Sequence, residues 1–254
     1  MATSAVSGGE TVMDQHGPHG RDGAAVLKKY PEIVFDASKL DGNKSTYTYL
    51  QAGYTVSASS DTGAALPWHV FDGDISHPVA NATAWQSISG GYNVSGAFDY
   101  KATGAHTSSL TSTGNVQHDG EYIQLETPYK IVVQSFNIYS SSDHTGLRPA
   151  KFVLLGSNTG IDGQWNILHT QTTAATYDSN HLHVATVNSS TAYKYHALLT
   201  KNITSNYLNV GTLWIGELEF YGYEEDPPLG DTSIDTTFTS IMNTPQTTGA
   251  NVYV

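Results

Sequence analysis

The stretch Trp68-His69-Val70-Phe71-Asp72-Gly73-Asp74 sets two carboxylates in a glycine turn beside two aromatic rings and an imidazole. Far along the chain, Gly216-Glu217-Leu218-Glu219 adds two more carboxylates at strand spacing. Three kinds of chemistry suit such residues. Paired carboxylates can act as acid and base on a glycosidic bond. Hard carboxylate and carbonyl oxygens can hold a divalent cation, and glycine permits the tight backbone that aims carbonyls inward. An aspartate in a turn can also do no more than bond its own backbone amides. Each carboxylate pair lies within one short segment, so cation binding explains them more simply than catalysis. On an extended strand Glu217 and Glu219 share one face, opposite Leu218 and Phe220.

Sugar recognition would need aromatic faces for the apolar side of a pyranose and fork-like donors for its hydroxyls. Loop residues of those types are Trp68, His69, Tyr92, His144 and Arg148. Arg148 stands out because Lys and Arg number only 11 in 254 residues. The competing roles are a charge packed on a sheet edge for Arg148 and loop packing for Trp68. Trp85, Trp165 and Trp214 lie in or beside strand-like runs and read as core. His16 with His19, and His181 with His183, have the spacing of a metal pair, but a third ligand is not evident. Enzyme signatures are lacking: there is no Gly-x-Ser-x-Gly elbow, phosphate-binding glycine loop or His-Glu-x-x-His.

The elements that must position these residues read as strands. "YTVSAS" (54–59) and "EYIQLE" (121–126) alternate, the latter with Ile123 and Leu125 on one face. "KIVVQSFNIYS" (130–140) turns Phe136 and Ile138 inward and Ser135 and Asn137 outward. "KFVLLGS" (151–157) is apolar on both faces, as in a central strand. "QWNILHT" (164–170), "YKYHALLTKN" (193–202) and "LWIGELEFYGY" (213–223) follow, with turn residues between them. "HTSSLTSTGN" (106–115) reads as a loop insertion. No long amphipathic helix is evident. Many short strands with turn punctuation predict an all-β protein, an antiparallel β-sandwich or jelly roll. Residues 1–29 read as a flexible or partner-docked arm, 30–224 as the sandwich, and 225–254 as a Pro/Thr-rich linker or the start of a second domain.

Composition narrows the partners. The formal net charge of −12 opposes binding to nucleic acid or to an anionic membrane surface. No apolar run approaches the length of a spanning helix, so membrane insertion is not expected. Without cysteine there are no disulfides or thiolate metal sites. The N-terminal residues lack a basic stretch followed by an apolar run, so no secretory signal is expected.

Read together, "AGYTVSASS" (52–60), "HVFDGD" (69–74), "ATAWQS" (82–87), "GEYIQLETPYKIVVQSFNIYS" (120–140), "PAKFVLLGSN" (149–158) and "WIGELEFYG" (214–222) form an ordered series. The series resembles the discoidin, or coagulation-factor type C, domain and its galactose-binding-like relatives among carbohydrate-binding modules. The resemblance runs from about Tyr54 to Tyr223. It implies a jelly roll with a structural calcium where the first turn meets the last strand. By motif position Asp72 and Glu217 would be its side-chain ligands, supported by carbonyls near Val70, Asp74, Thr83 and Gly216. Ala84 stands before Trp85 where relatives often carry a polar or charged residue, a departure at one ligand position. The resemblance also implies ligand recognition on loops at one end, and an arginine at the place of Arg148 that often meets sugar. Similar modules followed by a Thr-rich segment occur in surface proteins of large DNA viruses of algae. The expectation is therefore a non-catalytic attachment module for a surface glycan, on a virion or extracellular surface. The alternative is a capsid or fibre component that contacts other virion or fibre subunits and has no sugar site.

Overall fold

The structure, a computed structural model, describes residues 27–41, 43–45, 47–75, 83–99, 108–141, 143–160, 164–205 and 210–225. His16, His19, most of the N-terminal arm and all of the tail beyond residue 225 lie outside the described residues. The strands are β1 (Lys28–Tyr30), β2 (Asn43–Ser45), β3 (Thr48–Gln51), β4 (Tyr54–Ala58), β5 (Trp85–Gln86), β6 (Ser109–Ser112), β7 (Val116–Asp119), β8 (Glu121–Tyr139), β9 (Pro149–Ser157), β10 (Asn166–Gln171), β11 (Leu182–Thr186), β12 (Tyr193–Ile203), β13 (Trp214–Ile215) and β14 (Glu217–Glu224). Every pairing among them is antiparallel. The helices among the described residues are short 3-10 turns. None is long and apolar enough to cross a membrane.

β8 joins the two layers of the predicted sandwich. Its first half pairs with β4 and β12, in the layer ordered β10-β9-β12-β8-β4-β3-β2. Its second half pairs with β11 and β14, and β1 adds to β14. "EYIQLE" and "KIVVQSFNIYS", expected as two strands, are thus one strand of 19 residues. The stretch between them, Thr127-Pro128-Tyr129-Lys130, falls in a break of the ladders: that of β4 ends at Glu126, that of β12 passes from Glu126 to Ile131 through a register shift, and that of β14 begins at Ile131. Pro128 therefore costs no ladder hydrogen bond at the point where the strand changes layer. Thr127 steadies the corner by donating its hydroxyl to Lys194 O at 3.0 Å.

The core lies between the layers. Val56, Ile123, Leu125, Phe152, Leu154 and Leu198 of the first meet Phe136, Ile138, Leu218 and Phe220 of the second. Phe136 and Phe152 cross the gap edge to face at 6.1 Å, and His196 lies 5.7 Å from Phe220. As read from sequence, Trp85, Trp165 and Trp214 are buried.

Two local expectations are corrected. "HTSSLTSTGN" is no loop insertion where it is described, because β6 and β7 form a hairpin there. Its Leu110 joins Tyr122, Val153, Leu155, Trp165, Ala197 and Leu199 in a second apolar cluster on the outer face of the first layer. That cover explains why "KFVLLGS" is apolar on both faces. Thr and Ser at alternate positions hid the strand, because the apolar-versus-polar alternation was nearly absent. The arm read as 1–29 likewise contains β1, which registers Lys28 with Gly222 and Lys29 with Tyr221. Tyr30, fully buried, anchors it in the core, and lysines add charge: Lys28 Nζ meets Glu224 at 2.8 Å and Lys29 Nζ meets Glu219 at 3.3 Å.

Candidate functional site

Pro67 opens a single 3-10 turn, Pro67–Phe71, with a preset φ and no amide to leave unsatisfied. All five of its residues are buried. Asp72 caps it and Gly73 follows at φ +75°, a conformation that side-chain-bearing residues rarely adopt. The turn is stapled twice by Asp72: Oδ1 accepts the Asp74 amide at 2.9 Å, and Oδ2 stands 3.0 Å from His69 Nδ1. Gly73 N–H donates to both carboxylate oxygens of Glu217, at 3.3 and 3.2 Å. The early aspartate turn and the late glutamate strand are therefore in contact.

Glu217 is only 2% exposed. Its pKa is pushed up to about 10, first by burial and then by the charge of Asp72, with Lys29 and the Gly73 amide pulling the other way. Glu219, expected on the same strand face as Glu217, is buried as well. Its carboxylate is enclosed by Lys29, by Asn137 Nδ2 at 3.0 Å and by the Tyr221 hydroxyl at 2.8 Å. Glu219 is thus an internal counter-charge, and Glu217 is the acid left facing the turn. Of the expected carbonyl donors, Val70 lies inside the buried 3-10 turn and Gly216 lies between β13 and β14, where its amide donates to Tyr139 O at 2.9 Å. Asp74 follows the glycine, and Thr83 precedes β5, which packs on the same 3-10 turn. Among the described residues no group of three or more His, Asp or Glu side chains is arranged around one point. The donors on hand would be the Asp72 and Glu217 carboxylates, joined through the Gly73 amide, plus backbone oxygen, a set that would suit a hard cation such as calcium rather than zinc. A buried acid with a second acid beside it is also where a cation relieves the most repulsion.

The five residues expected to meet sugar differ in burial and surroundings. Trp68 and His69 are each 8% exposed, their rings 3.8 Å apart. Tyr92 is 2% exposed, donates its hydroxyl to Thr200 O at 3.0 Å and packs edge-on against Phe98 at 5.5 Å, so its ring face is part of the interior. His144 and Arg148 do share a loop, the one before β9. His144 is half-buried and stacks on Trp214 with centroids 5.0 Å apart and planes 6° from parallel.

Arg148 holds the loop ends together. Its Nε and Nη2 donate to Ser141 O at 3.3 and 2.8 Å, closing the turn that contains His144. Nη2 also donates to His181 Nδ1 at 2.8 Å, and the guanidinium lies 5.1 Å over the Tyr177 ring. Arginine has no acceptor, so Nδ1 of His181 must accept and the ring proton sits on Nε2. His181 has φ 60° and precedes β11, whereas His183 lies within it and bonds Thr176 O through Nδ1. The two histidines are not a pair on one strand face. Sequence reasoning missed Tyr177 and gave His181 a different role. The available signal was a Tyr-Asp-Ser-Asn-His run between strands, a loop composition rich in polar and aromatic groups.

No protein-family model matches the chain, and no curated protein matches it. Solved structures do resemble it. A family 32 carbohydrate-binding module from NanJ of Clostridium perfringens, in complex with galactose, is 16% identical over 67% of this chain and 94% of its own, with a TM-score of 0.44. A fucolectin from striped bass (Morone saxatilis) serum is 10% identical over 70% of this chain and 49% of its own, at 0.47. A fucose-binding module from Streptococcus pneumoniae is 11% identical over 66% and 93%, at 0.43. At such scores the likeness carries nothing about the ligand of this chain.

Proposed function

We propose that this chain is a non-catalytic carbohydrate-binding module of the discoidin type, used to attach to a surface glycan. The observation that carries the reading is the Arg148 loop: a guanidinium fork with Tyr177 and His181 against it and His144 in the turn it closes, at the motif position where relatives often place a sugar-binding arginine. The motif series from Tyr54 to Tyr223 supports it too. In this proposal Asp72 and Glu217 would hold a calcium ion, whose part would be structural, securing the first turn to the last strand. The module would act on a virion surface or outside a cell, where weak single sites gain strength by multivalency. A glycan array probed with the chain and with Arg148→Ala is the test. Binding that the variant loses supports the reading; a wild-type chain that binds no surface glycan overturns it.

A second reading, a capsid or fibre component acting through protein contacts, is favoured by one observation. Val34 and Ile75 are 54% and 56% exposed, and Val34 borders a groove of about 490 Å³ shared with Ile33, Lys39, Asp41, Gln51 and Ala52. Stable self-association abolished by Val34→Asp would support it.

A further inference from the structure

Five lysines of this acidic chain are given carboxylates, whereas Lys151 and Lys201 meet none among the described residues. Lys28 meets Glu32 and Glu224, Lys29 meets Glu219, Lys39 meets Asp36, Lys130 meets Glu225, and Lys194 meets Glu126, though all five are far more exposed than Arg148. Arg148 is 8% exposed and meets none among the described residues. Its partners are a carbonyl, a neutral imidazole and a phenol ring. Burial lowers its pKa, and among the described residues Tyr177 offsets that. An acid is at hand in the adjoining loop, but Asp178 aims Oδ1 at the amides of Asn180 and Leu182, at 2.8 and 3.0 Å. The third nitrogen of the fork, Nη1, has no hydrogen bond among the described residues. Exposed Thr145 and Asn180 flank it in sequence on the two loops.

A desolvated guanidinium without a counter-charge is costly, and planar arginine is the side chain best matched to carboxylate or sulfate geometry. We propose that the ligand of this loop is an acidic sugar, whose carboxylate or sulfate takes the open Nη1 edge of Arg148 and supplies the charge the fold withholds. The inference rests on the sugar-binding reading and narrows it to a ligand class. Ser141 O occupies the Nε/Nη2 edge and His181 Nδ1 takes a bond from Nη2, so the acid would meet the fork through Nη1. The Tyr177 ring covers one face of the guanidinium.

The test pairs ligands that differ only in charge. The full chain is titrated with lactose, 3′-sialyllactose, 3′-sulfolactose, and neutral and uronic-acid oligosaccharides, by calorimetry and by ¹⁵N NMR of the arginine Nε–H. At least tenfold tighter binding of one or more acidic sugars than of their neutral partners is expected, with the Arg148 Nε–H resonance moving for the acidic sugars alone. Arg148→Met should erase the preference. If that variant does not fold, the wild-type ligand pairs and the Nε–H shift decide alone. Equal or tighter binding of the neutral partners overturns the acidic assignment and leaves sugar binding standing. Binding of none of these sugars, on a chain that also binds nothing on the glycan array, overturns both.

Discussion

Glu217 and His196 are two buried ionisable side chains that the fold keeps uncharged by opposite shifts. His196 is wholly buried against Phe220, and burial pushes its pKa down to about 3, offset in part by the backbone at Ile131. Its folded value lies below the ordinary 6.5, so the unfolded chain binds the extra proton. The stability it permits is complete above pH 6.5 and is lost as pH falls toward 3, at roughly 1.4 kcal/mol per pH unit. Urea unfolding at pH 7 and pH 5 should show that loss in the wild type and a smaller one in His196→Leu; equal losses would sink the assignment. Glu217 works the other way. Its pKa near 10 makes it a neutral acid at pH 7 when no cation is bound, so Glu217→Gln should match the wild type within about 1 kcal/mol in EDTA. Calcium at 100 times its dissociation constant should then raise wild-type stability by about 2.7 kcal/mol and leave the Gln variant unmoved, read as melting temperature. A calcium response that survives in the variant would remove Glu217 from the proposed site. The sequence motif brought Asp72 and Glu217 together because turn and strand both have local signatures. It misjudged Tyr92 and Glu219, whose surroundings are made by distant strands.

Whether a strand shows in sequence depended on what covered it. β4, β9, β12 and β14 carry apolar alternation or apolar runs, and their expected limits fall within a few residues of the observed ones. β6 and β7 carry Ser, Thr, Gln and His, and only Leu110 and His118 alternate inward with Ser112. β11 was hidden for a similar reason: Val184 and Thr186 face outward at an edge of the sheet, while His183 and Ala185 face in. The β6–β7 hairpin nevertheless has a structural task. Ser112 bridges to Trp165, Thr113 N–H donates to Trp165 O at 2.8 Å, and Trp165 N–H donates to Thr111 O at 3.1 Å. Leu110→Ala opens the outer cluster beside that tryptophan and should cost about 2–5 kcal/mol in urea unfolding. A cost under about 0.5 kcal/mol would mean that the hairpin is an ornament on the first layer, as the sequence alone suggested.

At the scale of the molecule, both layers hang from one strand, and this sets how they can come apart. The two halves of β8 contribute Ile123 and Leu125 to one side of the core and Phe136 and Ile138 to the other. Neither layer can lose its hydrogen bonds to β8 without exposing apolar surface of the second. The outer cluster is coupled to the same event, because Val153 and Leu155 on β9, and Ala197 and Leu199 on β12, alternate with inward Phe152, Leu154 and Leu198. A single cooperative transition is therefore expected for the sandwich. Two tryptophan reporters test it. Trp165 sits in the outer cluster, whereas Trp85 and Trp214 sit in the main core. With the other tryptophans changed to phenylalanine, Trp165 fluorescence and Trp85 fluorescence should give coincident urea midpoints, both matching the loss of far-ultraviolet strand signal. A Trp165 midpoint well below that of Trp85 would show the hairpin and outer face unfolding on their own, and the continuity of β8 would then not bind the layers into one unit.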